Sequence, residues 1–140
     1  IKKYMAKISG PLLDRIDIQI EVTPVKYQKL ENRQITEDSN TVKQRVDKAR
    51  KIQLERYQNQ KIYSNSELTP TLLEKYCQLD NSSKKIMEEA FQNFNFSARA
   101  YNRILKVART IADLEAKNKI EVKHIAEAIQ YRNLDRKYWR

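Results

Sequence analysis

Glycine, cysteine, histidine and tryptophan each occur once in 140 residues, and proline only three times. With Gly10 alone, the chain has no glycine-rich loop to cradle phosphate and no dinucleotide fingerprint, since both need several glycines to let backbone N–H groups close around an anion. Cys77 alone excludes an intrachain disulfide and any site built from several thiolates, and reads as a small buried apolar residue. His124 has no cysteine or second histidine at ligand spacing, so a capping or packing place at the start of the last helix is expected, and no metal site. No apolar run nears the roughly 20 residues that a bilayer crossing needs, and the first residues lack the apolar core of a signal peptide. The expectation is a cytoplasmic chain without membrane contact.

Positive charge is abundant. Lys and Arg number 28 against 18 Asp and Glu, a formal charge of +10. Such a balance suits polyanionic partners, DNA or nucleotide phosphates, but a solvated basic surface accounts for it equally well. The 40% of hydrophobic residues suffices for one core.

Residues 16–22 alternate apolar and polar side chains, the period of a half-buried strand, between a Ser9-Gly10-Pro11 turn and the breaker Pro24. Residues 27–40 are polar and weakly patterned, with capping side chains at Thr36, Asp38, Ser39 and Asn40. Val42, Val46, Ala49 and Tyr57 then recur at helical spacing, with Lys43, Arg45, Lys48, Arg50, Lys51 and Arg56 over the remaining surface. Thr69-Pro70 reads as an N-cap followed by a first-turn proline, and Asp80 as the cap of a helix whose stripe is Ile86, Met87, Ala90, Phe91 and Phe94. Ser97 caps a helix of about nineteen residues with an apolar arc wide enough for a central position, and with Arg99, Arg103, Lys106 and Arg109 on its polar arc. The pair Arg109 and Asp113 reads as structural, and Ile125, Ala128 and Ile129 face inward from a last short helix before a basic aromatic tail at 132–140. The fold class is all-α, a bundle of about five helices preceded by one β-strand.

Leu12-Leu13-Asp14-Arg15 within 9–17, the run Ser97-Ala98-Arg99-Ala100-Tyr101-Asn102-Arg103 opening 97–114, the spacing of Val46, Ala49-Arg50, Gln53 and Arg56, and the closing His124-Ile125-Ala126-Glu127-Ala128-Ile129 occur together and in this order. They resemble magnesium-chelatase-like AAA+ ATPases of the bacterial competence (ComM or YifB) type. The resemblance implies that residues 1–24 end an α/β ATPase core, 25–40 connect, and 41–140 form a C-terminal helical lid. The phosphate loop and the metal-binding carboxylates would then lie in an upstream core, the lid's first partner. On that reading this fragment alone is no enzyme and binds no cofactor tightly, whereas the full-length protein hydrolyses ATP with Mg2+ as a homo-hexamer.

The resemblance also assigns residues. Arg99 falls at the sensor-2 position, where a permanently charged guanidinium forks onto phosphate oxygens; the alternative is an ordinary exposed or capping arginine. Arg15 falls where related rings present an arginine finger to the neighbouring subunit, a group worth roughly three to five orders of magnitude in GTPases; the alternative is an ion pair with Asp14 or Asp17. Lys43, Arg45, Lys48, Arg50 and Lys51 are the candidates for DNA contact, set against a solvated basic helix. Three functions stay open: a motor that remodels DNA by branch migration, a motor that drives metal insertion into a porphyrin, and a freestanding basic helical DNA-binding module.

Overall fold

The architecture is that of a computed structural model, which describes residues 12, 15–22, 24, 37–94 and 96–132. Five helices are described: α1 (Ser39–Tyr57), α2 (Pro70–Tyr76), α3 (Asn81–Phe94), α4 (Ala98–Leu114) and α5 (Val122–Gln130), with one 3-10 turn at Asn65–Glu67. The expected all-α bundle is present.

Side chains that compete for backbone donors start these helices. Asp38 Oδ1 accepts the Thr41 amide at 2.7 Å, Asp80 Oδ1 the Ser83 amide at 2.7 Å, and Ser97 Oγ the Ala100 amide at 3.1 Å. Thr69 accepts from Leu72 with Pro70 in the first turn, where a missing N–H costs nothing. The start of α5 is built differently. His124 Nδ1 accepts the Glu121 amide at 2.9 Å, and its Nε2 faces the Glu115 carboxylate at 3.2 Å, so the fully buried ring is a cap and a packing element. Because Nδ1 accepts, the neutral ring carries its proton on Nε2.

At the far end of α4, the Ala116 amide donates to the Asp113 carbonyl at 3.0 Å and the Lys117 amide to the Ala112 carbonyl at 2.8 Å. This pair of bonds is a Schellman stop, and it places Ala116 at φ 54°, a position that normally favours glycine.

Helix α4 is central: it packs against α1, the 3-10 turn, α2 and α5, and α3 closes the bundle against α5. The core joins Tyr57, Leu73 and Met87 to Ile104, Leu105, Ala108, Ile125 and Ala128. Cys77 is buried in it, and burial pushes its thiol up to about 11. Phe91 meets Phe96 and Tyr101 edge-on, each at 5.7 Å, over the junction of α3 and α4.

Residues 16–22 pair with no second strand among the described residues, and an alternating pattern makes a strand only where a partner supplies ladder hydrogen bonds. Two expectations are corrected. Val42 and Val46 are 38% and 44% exposed, because only the C-terminal half of α1 lies on the bundle, through Ala49, Gln53 and Tyr57. Arg109 is 2% exposed and Arg56 half-buried, so neither belongs to a solvated arc. The tail beyond Arg132 and residues 25–36 of the 25–40 connector lie outside the described residues. None of the described helices is long and apolar enough to cross a membrane.

Candidate functional site

A buried polar knot fastens α1 to α4. Asp113, 1% exposed, receives both terminal nitrogens of Arg56, one of them at 2.8 Å, and also Arg109 at 3.1 Å and Asn65 Nδ2 at 2.8 Å. Asn65 in turn accepts the Tyr57 hydroxyl at 2.6 Å, and its backbone amide donates to Gln53 at 3.2 Å. The terminal nitrogens of Arg109 also donate to the Lys117 and Asn118 carbonyls at 2.5 and 2.9 Å, clamping the loop after α4. Burial opposes the charge on Arg56, but the hydrogen bonds it donates to Asp113 and the charge of that carboxylate outweigh it, so the guanidinium is held above its ordinary value. For Arg109 burial dominates and the value is lowered. Two cations facing one carboxylate are tolerable here because the Lys117 and Asn118 carbonyls accept from the terminal nitrogens of Arg109, although its Nε is buried without an acceptor among the described residues.

Helix α4 borders an open groove of about 880 Å³, which Glu127 of α5 and Tyr131 after it also line. Its floor is apolar, with Leu68, Leu73, Val107 and Ile111, and four cations stand on its rim: Arg45, Arg99, Arg103 and Lys106. Three of the four have partners. Arg45 forks onto Glu37 at 2.7 and 3.0 Å, Arg103 pairs with Asp17, and Lys106 donates to the Ser66 carbonyl at 2.7 Å. The side chain of Arg99, exposed in the first turn of α4, makes no hydrogen bond or ion pair among the described residues. Its charge therefore stands uncompensated at the end of a helix whose dipole favours anions.

Arg15 is exposed and does not line the groove. Its amide donates to the Leu12 carbonyl at 3.0 Å, closing a turn ahead of a segment that is pinned to the bundle. Of its two expected carboxylate neighbours, Asp17 is engaged with Arg103 and Asp14 lies outside the described residues.

The basic helix is partly self-neutralised. Lys43 pairs with Asp47 at 2.6 Å and Lys51 with Glu55 at 4.0 Å, Arg45 is held by Glu37, and Arg50 reaches Gln53 at 3.4 Å. Lys48 is exposed with no such partner among the described residues. Arg45 is thus the one DNA-contact candidate that shares the groove with Arg99. No three His, Cys, Asp or Glu side chains among the described residues assemble as metal ligands.

The family profile described as magnesium chelatase, subunit ChlI C-terminal, matches residues 36–132, and that of magnesium chelatase, subunit ChlI, matches residues 1–30. The chain belongs to the magnesium chelatase ChlI C-terminal family. Within this magnesium-chelatase-like AAA+ group, competence protein ComM of Haemophilus influenzae is 40% identical over 97% of the chain and YifB of Salmonella typhimurium 38% identical over 96%. An uncharacterized protein of Mycobacterium tuberculosis, Rv2897c, is 27% identical over 94%. The chain spans about a quarter of each of these relatives, 26% of their length.

Seen in a member of the chelatase-like family, the spacing Ala49-Arg50, Gln53 and Arg56 has a physical meaning: Ala49 packs in the core while Gln53 and Arg56 enter the knot around Asn65 and Asp113. Sequence reasoning placed Arg56 on the surface. Its position beside Ala49, Gln53 and Tyr57 on one helical stripe was the available signal, and Asn65, in a short irregular turn, had none.

Proposed function

We propose that this chain is the C-terminal lid of a magnesium-chelatase-like AAA+ ATPase, in which Arg99 reads the terminal phosphate of ATP bound to an upstream core and Arg15 completes the site of a neighbouring subunit. The observation that carries the reading is the uncompensated charge of Arg99 on a rim where Arg45, Arg103 and Lys106 each hold a partner. A guanidinium at a capped helix start, beside a groove, can donate bidentate bonds to phosphate oxygens when a nucleotide-bearing core closes on it, and lose them after hydrolysis. Nucleotide state then becomes lid orientation, and in a ring the lid's movement reaches the next subunit.

DNA is the substrate class favoured for the full-length motor. Support comes from the formal charge of +10 and from a relative whose name is competence protein ComM.

The test is ATP hydrolysis by the full-length protein, with and without DNA at fixed salt, for wild type, Arg99→Ala and Arg15→Ala. A DNA-stimulated rate lost in both variants upholds the reading. Unchanged rates in the two variants would remove both assignments, and a wild-type rate indifferent to DNA would favour a chelatase-type motor.

A further inference from the structure

We propose that residues 15–20 and helices α4 and α5 move as one body, so that Asp17, Arg103 and Arg132 are positioning residues through which the state read at Arg99 sets the place of Arg15. The inference rests on the roles given to Arg99 and Arg15 above and adds the path between them.

Three links within four residues carry it. Arg132, 2% exposed at the end of α5, donates to the Ile16 carbonyl at 3.0 Å; the Gln19 amide donates to the Tyr131 carbonyl at 2.9 Å; and Asp17 pairs with Arg103. Ile16 adjoins Arg15, and Arg103 lies one turn along α4 from Arg99, on the same face of the helix. The path from sensor to finger is thus one helical turn, one ion pair and two residues of backbone. Helices α4 and α5 share core residues from Ile104 to Ile129, which makes the supporting body stiff.

A rigid tie has a thermodynamic consequence. If ATP held by one subunit reorients Arg99 and its helix, Arg15 of that subunit shifts at the neighbour's site, so binding at adjacent sites is coupled and the coupling is reciprocal. The ATP dependence of hydrolysis is then sigmoidal.

The experiment compares that dependence in the full-length protein for wild type, Asp17→Ala, and the exchange of Asp17→Arg with Arg103→Asp. Asp17 is half-exposed, so its truncation leaves the fold intact, and hydrogen exchange at the Gln19 amide reports whether the segment stays docked. Expected are a sigmoidal wild type, loss of cooperativity with faster Gln19 exchange in Asp17→Ala, and recovery of both in the exchange. A hyperbolic wild type, or an Asp17→Ala variant with undiminished cooperativity, overturns the coupling; an exchange that recovers neither overturns the part given to the ion pair. The parent reading fails separately, by unchanged rates in Arg99→Ala and Arg15→Ala.

Discussion

Asp113, near the end of α4, holds the guanidinium of Arg56, 57 residues earlier on α1, in a two-pronged ion pair from which water is almost wholly excluded. Arg109 and Asn65 bind the same carboxylate, so one side chain closes the contact among three elements. Removing it deprives the buried Arg109, the half-buried Arg56 and the Asn65 amide of the one charged acceptor they share. Asp113→Ala is expected to cost about 3–5 kcal/mol, read as a lowered midpoint of urea unfolding. A loss no larger than that of a surface ion pair, about 1 kcal/mol or less, would show that the knot is a by-product of packing.

Ala116 occupies the left-handed region at the Schellman stop of α4. A β-carbon there costs about 1 kcal/mol relative to glycine, whose greater unfolded-state entropy offsets only part of it. Ala116→Gly is therefore expected to raise stability by a few tenths to about 1 kcal/mol in the same urea assay. A destabilised variant would contradict the left-handed geometry.

The helix caps set the response to acid. Hydrogen bonds from the Thr41 and Ser83 amides hold the carboxyls of Asp38 and Asp80 below their ordinary values. A carboxyl lowered on folding adds stability that is complete above its unfolded value, near pH 4, and is lost as pH falls through the folded value. Asp80→Asn keeps an acceptor oxygen but has nothing to titrate there, so stability should fall less steeply below pH 4 than in wild type. Parallel pH profiles would contradict the cap's charge dependence.

If DNA lies along α1, its contacts should follow the charges left uncompensated. Lys48→Ala is expected to reduce the slope of log affinity against log salt by about one, whereas Lys43→Ala, already paired with Asp47, should reduce it less. Equal slopes in wild type and both variants would place any DNA away from this helix.

Much of this architecture is legible in the sequence because it is local. Asp38, Thr69, Asp80 and Ser97 announce their helices by capping chemistry, and the wide apolar arc of α4 announces its central place. What is illegible depends on partners distant in the chain. Arg109 looks solvent-facing on any hydrophobicity scale, although it falls between Leu105, Ala108 and Ala112 on the buried side, and only Asp113 with the loop carbonyls makes that burial tolerable. Residues 16–22 have the period of a strand, yet in this chain their backbone bonds to the end of α5. Arg99 was marked by its place after the Ser97 cap and by family resemblance; that its rim neighbours are paired while it is not emerges only in three dimensions.

The most direct test of the central claim uses two inactive proteins. If Arg99 acts within its own subunit and Arg15 on the neighbour, full-length Arg99→Ala and Arg15→Ala each lack a complete site, but co-assembled in equal amounts they regenerate about a quarter of the sites intact at subunit boundaries. Recovery of ATP hydrolysis on mixing, absent from either variant alone, is the predicted result. Variants that stay inactive when shown to co-assemble would contradict the division of roles between the two arginines.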